Sequence, residues 1–224
     1  MSVSVIIPAL DEAAGIGACL RSVRAQGPAQ IVVVDGGSSD GTVAAARDAD
    51  LVLTAARGRA SQMNAGAARA TGEVLVFLHA DCQLQAGALA EARRLLDRDG
   101  IIAGCFTMTV RAAGALYRCI DACASARVRL TGLVYGDQGL FVRRRDFERA
   151  GGFPPLRLME DVFLSRTLGR MGRIVVARSR IFVSPRRWQR TGLVRQTLRN
   201  WTLTALAAGG VHPDRLAAWY PHVR

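Results

Sequence analysis

Acidic side chains stand just beyond three apolar or glycine-rich segments of this sequence. Asp35 and Asp81 each follow a run of β-branched and apolar residues, and the pair Glu160-Asp161 follows a segment that begins Gly151-Gly-Phe. Apolar runs that end in Asp are typical of buried parallel strands, and open α/β sheets bind ligands at the carboxyl edge of such strands. The pattern predicts one acidic site, suited to a metal-bound, phosphate-bearing substrate and a general base.

The elements that position these residues alternate over the first 80 residues. Strands are predicted at 3–7, 31–34, 50–54 and 74–78, with helices at 11–25 and 42–48 and a third helix, led into by residues 57–64, that ends near 71–72. Over the remainder, strands are predicted at 101–110, 140–142 and 174–177, helices at 87–96, 115–130, 163–171 and 191–208, and a turn at 143–146. Alternating strands and helices predict an α/β fold with a parallel sheet.

The chain has 224 residues, half of them hydrophobic, which is enough for one sizeable core. Residues 1–110 carry a net charge of −2 and residues 111–224 a net charge of +14. The basic half suits an anionic substrate, an anionic lipid surface or nucleic acid. All 30 basic side chains are Arg, which excludes a P-loop lysine, a Schiff-base lysine and a lysine general base.

The cysteines and the hydropathy indicate where the protein works. Five cysteines, no CxxC pair and no secretory signal predict a reduced, cytoplasmic protein. Cys119 and Cys123 share a helix face, and we expect small buried residues there rather than a zinc site. No apolar run approaches the ~18 residues of a membrane-spanning helix.

Five segments, in order and in register, resemble family 2 glycosyltransferases of the GT-A fold. They are Val5-Ile-Ile-Pro8 with Asp11-Glu12, Val34-Asp35-Gly-Gly-Ser-Ser-Asp-Gly-Thr42, Gly72-Glu-Val-Leu-Val-Phe-Leu-His-Ala-Asp81, Gly151-Gly-Phe153 and Glu160-Asp161. The resemblance covers about residues 3–172. Gly58-Arg-Ala-Ser-Gln-Met-Asn-Ala-Gly66, together with Leu-His-Ala-Asp81, is similar to a small bacterial branch associated with arsenosugar biosynthesis.

The resemblance implies a fold and a domain organisation. The fold is a single mixed, mainly parallel sheet flanked by helices. Residues 1–183 form the catalytic domain, with a nucleotide-binding half at about 1–82 and an acceptor half at about 100–183. Residues 184–224 form a basic helical extension.

The resemblance also implies a reaction and the residues that perform it. An inverting, non-processive enzyme moves a sugar from a nucleoside-diphosphate donor, by analogy a UDP-sugar, to an acceptor hydroxyl, with Mg²⁺ or Mn²⁺ held at Asp81. Asp161 is the base and Glu160 its supporting neighbour. The donor-binding residues are Pro8, Ala9, Leu10, Glu12, Asp35, Gly37, Arg59, Asn64, His79, Ala80, Asp137, Arg187 and Trp188.

The sequence departs from the family at the metal motif, where His79 replaces the first aspartate. This replacement leaves the usual ribose contact and the metal preference open. His79 either contacts ribose or phosphate or is a satisfied histidine at a strand end.

Several other residues have a structural alternative to their functional role. Asp35 also suits a turn cap, and Glu160-Asp161 suits the N-cap of the following helix. Arg59 is otherwise a solvated loop residue and Asn64 a helix-face residue that packs on a loop. Asp137 otherwise belongs to a tight turn.

The C-terminal segment carries two further patterns. Arg186-Arg187-Trp188 resembles the end of the QxxRW motif of processive synthases, but Ser184 stands where Gln is expected. The basic amphipathic helix around Arg190, Arg195 and Arg199 suits peripheral contact with the inner face of the cell membrane. It suits docking onto the catalytic domain or a homodimer partner equally well.

Two other functions remain open at this point. Nucleotidyl transfer onto a sugar phosphate uses the same fold, but such enzymes begin with a Gly-rich, basic loop, and the loop here is Pro8-Ala-Leu-Asp-Glu12. Non-catalytic nucleic-acid binding fits the charge, but the sequence has no aromatic stacking platform or recognition module. We therefore expect no nucleic-acid partner.

Overall fold

The computed structural model describes residues 1–217 and 219. One eight-stranded sheet runs through the molecule in the order β3-β2-β1-β4-β7-β6-β8-β5. The strands are β1 Val3–Ala9, β2 Gln30–Asp35, β3 Leu51–Thr54, β4 Val74–Phe77, β5 Gln83–Leu84, β6 Ile101–Val110, β7 Leu140–Arg143 and β8 Arg173–Val183. The helices are α1 Ala13–Arg24, α2 Thr42–Ala45, α3 Arg59–Arg69, α4 Ala88–Leu96, α5 Ala115–Thr131, α6 Arg144–Arg149, α7 Glu160–Met171, α8 Arg186–Thr191, α9 Leu193–Ala208 and α10 Pro213–Ala217.

The pairing of the strands is mixed. β1 lies between β2 and β4 and is parallel to both, and β3 extends this parallel part. β7 is antiparallel to β4 and β6, whereas β6 and β8 are parallel. The predicted fold class, a mixed and mainly parallel sheet flanked by helices, is confirmed.

Buried side chains on both faces of the sheet hold the helices in place. Val5 and Ile7 of β1 face α1 and α4, and Ile6 between them faces α3 and α7. α3 packs close to the sheet at Gly66, where an added Cβ would lie 2.5 Å from Ile6 Cγ2 and 2.9 Å from Val34 Cγ2. A strand buried on both faces reads as a continuous apolar run, which explains the strong strand signal here.

A third apolar cluster joins the C-terminal helices to the start of α7. Leu158, Met159 and Val162 pack against Leu203 of α9 and Leu216 of α10. After β8 the described chain forms the three helices α8, α9 and α10 with short loops between them. These helices lie over the carboxyl edge of the sheet rather than in it. Residues 218 and 220–224 of the predicted extension lie outside the described residues.

Several predicted element bounds were wrong, each for a physical reason. The turn at 143–146 is helix α6, which Asp146 stabilises from its buried position against Arg143. The strand at 174–177 runs on to Val183, because its second half pairs with both β6 and the two-residue β5. The helix predicted at 191–208 begins at Leu193, because Gly192 with φ +87° separates it from α8, a helix that was not predicted.

The predicted helix at 42–48 ends at Ala45. The expectation for the cysteine pair was also wrong, since Cys119 and Cys123 are both exposed on α5. Cys19, Cys82 and Cys105 are buried thiols.

Candidate active site

The loops after β1 and β2 are fixed to each other by short polar contacts. Asp35, 4 % exposed, accepts hydrogen bonds from the backbone N–H groups of Gly37 at 2.9 Å and Ser38 at 3.0 Å and from the Ser38 hydroxyl. Asp11 accepts from the Ser39 N–H at 2.8 Å and adopts φ +50°. These bonds satisfy the carboxylates locally and give the first loop one conformation.

Gln62 of α3 ties the ends of both strands together. Its side chain is 2 % exposed, and Nε2 donates to the carbonyl oxygens of Ala9 and Val34, each at 2.8 Å. Both carbonyls lie where β1 and β2 end, so one amide closes the floor of the cleft beside them. This role of Gln62 was not predicted from the sequence. The available signal was a polar side chain on the packing face of α3.

Two cavities open at this edge of the sheet and meet at Asp81. The larger, about 310 Å³, follows the loop from Pro8 to Glu12 and the start of α3 and is flanked by Arg186, Arg187 and Arg190. The smaller, about 120 Å³, lies between the segment 135–137, the start of α7, and α9. Arg59, His79, Asp81, Leu158 and Arg187 line both cavities. A ligand that fills the larger cavity therefore reaches the smaller one at these residues.

Asp81 has the exposure and the neighbours of a cation ligand. Its side chain is 28 % exposed, and Oδ2 lies 3.5 Å from an Arg186 guanidinium nitrogen. Among residues 1–217 and 219, no group of three or more His, Cys, Asp or Glu side chains is arranged to hold a metal ion. A carboxylate that already faces a positive charge fits a divalent ion that takes its other ligands from a diphosphate and water.

The start of α7 presents the second pair of acidic residues. Met159, with φ +63°, precedes the helix in a left-handed conformation that few non-glycine residues adopt. Asp161 is 9 % exposed, and its two oxygens accept from the backbone N–H groups of Gly136 and Val162. The carboxylate is therefore held in one orientation at the wall of the smaller cavity.

Glu160 lines neither cavity and pairs with Arg59. Arg59 Nε lies 2.7 Å from Glu160 Oε1, and a second guanidinium nitrogen lies 3.3 Å from Oε2. Burial of this 1 %-exposed side chain raises the pKa of Glu160, and the Arg59 charge opposes that rise. Because the fork of Arg59 is held by a buried carboxylate, Arg59 is fixed at the junction of the cavities.

Gly136 brings three parts of the site into contact. A Cβ at this position would lie 2.6 Å from His79 Nε2 and 3.2 Å from Asp161 Oδ2. His79 therefore packs beside Asp161, on the side of the smaller cavity, as well as lining the larger one. The close approach needs a residue without a side chain, and the sequence signal for it was the glycine pair around Asp137.

Asp137 is the third carboxylate of the smaller cavity. Its Oδ1 atom is buried and has no hydrogen-bond partner among the described residues. Burial raises the pKa of Asp137, the Arg127 charge lowers it, and the Asp161 charge raises it further. A buried carboxylate oxygen without a partner is uncommon, and Asp137 lines the smaller cavity.

Helix α9 forms the roof of the smaller cavity. Asn200, Leu203 and Thr204 face inward, and the Tyr135 hydroxyl is hydrogen-bonded to Thr204. The Arg127 guanidinium lies 3.6 Å from the centre of the Tyr135 ring. Tyr135 thus links α5, the segment 135–137 and α9. This role was not predicted from the sequence.

Most residues named from the sequence lie together at the two cavities. Those on the larger cavity are Pro8, Ala9, Leu10, Glu12, Arg59, His79, Ala80, Asp81 and Arg187. Asp137, Asp161 and Trp188 line the smaller one, where Trp188 is 7 % exposed and packs edge to face on Tyr117.

Three donor-binding candidates are placed elsewhere. Asp35 and Gly37 are not among the residues that line either cavity, and Asp35 holds the turn, as its structural alternative predicted. Asn64 exchanges hydrogen bonds with Phe153, donating to its carbonyl oxygen at 2.8 Å and accepting from its N–H at 2.9 Å. Asn64 therefore packs on the Gly151-Gly-Phe loop, and Glu160 supports Arg59 rather than Asp161.

The fold is shared with solved glycosyltransferase structures. A mannosyltransferase, PcManGT from Pyrobaculum calidifontis, in complex with GDP-Man and Mn²⁺, has a TM-score of 0.63 and 26% identity, over 80% of this chain and 56% of that one. TarS from S. aureus in complex with UDP-GlcNAc has a TM-score of 0.66 and 19% identity, over 82% of this chain and 58% of that one. These structures place the molecule in the GT-A class of folds.

The sequence places it in a family. Residues 4–129 match the model of glycosyl transferase family 2, and the chain belongs to that family. Glycosyltransferase AglE from Haloferax volcanii is 36% identical over 92 residues, which are 36% of this chain and 30% of AglE. The chain thus spans less than a third of AglE and little more than half of PcManGT.

Proposed function

We propose that the protein is a metal-dependent, inverting, non-processive glycosyltransferase that moves a sugar from a nucleoside-diphosphate donor to an acceptor hydroxyl. The observation that carries the proposal is the meeting of the two cavities at Asp81, with Asp161 on the acceptor side of the junction. The donor occupies the larger cavity and the acceptor the smaller one. We place the catalytic domain at 1–183, since the last strand ends at Val183.

The donor cavity has the chemistry that a nucleotide sugar requires. The backbone from Pro8 to Leu10 borders it on one side, and Arg59 and Arg187 supply positive charge at the junction. Asp81 would hold Mg²⁺ or Mn²⁺, which neutralises charge on the departing diphosphate. PcManGT and TarS bind GDP-Man and UDP-GlcNAc, so a nucleotide-sugar donor is expected, and UDP is our first choice.

On the acceptor side, Asp161 would remove the proton from the attacking hydroxyl. The N–H groups of Gly136 and Val162 fix the orientation of its carboxylate, which is a requirement for in-line attack. Asp137 would accept a hydrogen bond from a second hydroxyl of the acceptor through its free Oδ1 atom. The acceptor expected here is a small molecule with neighbouring hydroxyl groups.

Replacing Asp161 by Asn tests the assignment of the base. We expect release of nucleoside diphosphate to fall by about 10²–10⁴-fold, the usual contribution of a general base. Donor binding should persist, because Asp161 lies on the acceptor side. Asp99→Asn, an exposed carboxylate that lines neither cavity, is the matched control. Turnover of Asp161→Asn within a few-fold of the unmodified protein would reject the role.

The donor can be identified without knowledge of the acceptor. A thermal-shift screen of UDP, GDP and dTDP and their sugars, with and without Mn²⁺, reports any ligand that binds only the folded state. We expect one nucleotide series to raise the melting temperature, and only when Mn²⁺ is present. Equal stabilisation without the ion would contradict metal dependence.

The exposed face of α9 supports peripheral membrane contact. Val194, Leu198 and Trp201 lie on one line of the helix and are 62 %, 55 % and 59 % exposed. Between Asp161 and Asp214 the chain carries ten Arg and no acidic residue. An apolar line beside dense positive charge suits an anionic lipid surface, whereas a second copy would bring two basic faces together. Among the described residues, no helix is both long enough and apolar enough to cross a bilayer.

Vesicle flotation tests this contact. Leu198→Ser with Trp201→Ser should lower binding to vesicles that contain anionic lipid by at least about tenfold, because two apolar side chains that would insert into the lipid are lost. Leu130→Ser removes an 84 %-exposed apolar side chain on α5 and should have no effect. Unchanged binding of the double variant, or equal binding of the unmodified protein to neutral vesicles, would contradict the contact.

A further inference from the structure

Arg186 closes the donor cavity from the C-terminal side. It is the first residue of α8, and one nitrogen of its guanidinium lies 2.5 Å from Glu12 Oε2 and 3.5 Å from Asp81 Oδ2. Glu12 follows β1 and Asp81 follows β4, so one side chain bridges both loops.

The charges at this point are balanced by Arg186. Burial opposes its charge, but hydrogen bonds and attraction from Glu12 and Asp81 raise the pKa of Arg186. Removal of this guanidinium would therefore leave more negative charge beside the cavity, at the place where a donor diphosphate arrives. The bridge therefore has an electrostatic role, beyond attaching α8 to the domain.

The same carboxylate is the proposed ligand of the divalent ion. An ion in direct contact with Asp81 needs a carboxylate oxygen at about 2.0–2.6 Å and takes the room that the guanidinium now occupies. A donor also brings negative phosphate oxygens, with which a released guanidinium forms paired hydrogen bonds. The exchange therefore conserves the charge balance of the cleft.

We propose that Arg186 takes the place of the divalent ion beside Asp81 in the donor-free protein and moves to the diphosphate when ion and donor bind. The inference rests on the proposed function of this cleft. In addition, Arg186 of α8 and the divalent ion compete for the Asp81 carboxylate. Arg186 is then a positioning residue for the donor. Because Trp188 lies in the same helix, buried against Tyr117, the exchange also changes the surroundings of that tryptophan.

Direct measurement of Mn²⁺ binding tests the competition. The Mn²⁺ electron paramagnetic resonance signal is titrated with protein in the absence of nucleotide, for the unmodified protein, Arg186→Gln and Arg170→Gln. Arg170 is exposed on α7 and lines neither cavity, so its variant matches the change in net charge. We expect the Mn²⁺ dissociation constant to fall about three- to tenfold for Arg186→Gln only, the range for a partly exposed ion pair.

Further variants identify the site and guard against misfolding. Asp81→Asn combined with Arg186→Gln should lose the added affinity, and retention of that affinity would overturn the inference. Arg186→Lys keeps the charge but not the fork, and should bind Mn²⁺ with intermediate affinity. In a background with Trp201→Phe and Trp219→Phe, UDP with Mn²⁺ should shift Trp188 emission, and Arg186→Gln should show that shift without ligand.

The result that overturns the inference is an unchanged Mn²⁺ dissociation constant for Arg186→Gln. If the unmodified protein still binds UDP only with Mn²⁺, the proposed metal-dependent function stands and the competition alone is rejected. If Mn²⁺ promotes UDP binding in neither protein, both the metal dependence and the competition are rejected.

Discussion

The two sides of the cleft are held by different kinds of contact. On the donor side, Asp11, Asp35 and Asp40 accept hydrogen bonds from backbone N–H groups within the loops after β1 and β2. On the C-terminal side, α9 and α10 are held by the apolar cluster around Leu203 and Leu216. The polar contacts there join residues far apart in sequence, such as Arg186 with Glu12 and Tyr135 with Thr204. The floor of the larger cavity therefore depends on local hydrogen bonds, and the roof depends on contacts between distant parts of the chain.

Loss of the Gln62 amide should give the largest loss of stability at the floor of the larger cavity. Gln62→Leu removes both hydrogen bonds to Ala9 and Val34 from the buried strand ends, where the Ala9 carbonyl keeps only the bond from the Gly36 N–H. We expect the free energy of unfolding to fall by about 2–4 kcal/mol. Denaturant titration measures it, with the exposed Gln189→Leu as control. A loss no larger than that of the control would mean that the strand ends do not depend on this amide.

Substitution of Gly136 should impair the junction without unfolding the protein. The Cβ of Gly136→Ala would push against His79 and Asp161, and a displacement of about 1 Å at the base costs roughly 10²-fold in turnover. Gly209→Ala, where the nearest contact is 3.5 Å, is the control. Normal turnover of Gly136→Ala would show that the orientation of Asp161 is not important.

Asp137 should lower the free energy of unfolding, and more so at high pH than at low pH. Because burial raises its pKa in the folded state, the folded protein holds the proton more tightly than the unfolded chain. This contribution to stability therefore decreases as pH rises from the unfolded pKa through the folded pKa. Asp137→Asn should stabilise the protein by on the order of 1 kcal/mol at pH 8, with a smaller gain at pH 5. An equal gain at both pH values in thermal unfolding would contradict the assignment.

The smallest effect is expected in the roof. Tyr135→Phe and Thr204→Val each remove one partner of the same hydrogen bond, and each should cost about 0.5–1.5 kcal/mol. A double-mutant cycle isolates the pair, and the two losses should not add. Additive losses would mean that this bond does not hold α9 over the cavity.

This contrast explains which features could be predicted from the sequence. The parallel strands and the residues after them were readable because buried apolar runs end directly in Asp35 and Asp81. Asp35 is used for local hydrogen bonds within its turn, and the sequence motif alone does not distinguish such a cap from a ligand contact. The partners of Arg186 and Tyr135 were not readable, because Glu12 lies 174 residues from Arg186 and Thr204 lies 69 residues from Tyr135.

The boundary between α8 and α9 was not readable either. Helical periodicity continues through residues 186–208, and only the single Gly192 at φ +87° interrupts it. A glycine inside a helical pattern is compatible with a continuous helix, so the break follows from tertiary packing.

The central claim is that Asp81 serves the donor and Asp161 the acceptor within one cleft. Calorimetric titration with UDP, in the presence and absence of Mn²⁺, separates the two roles in a single measurement series. We expect Mn²⁺-dependent binding to the unmodified protein and to Asp161→Asn, and its loss in Asp81→Ala. Binding of UDP to Asp81→Ala with unchanged affinity and unchanged dependence on Mn²⁺ would contradict the account.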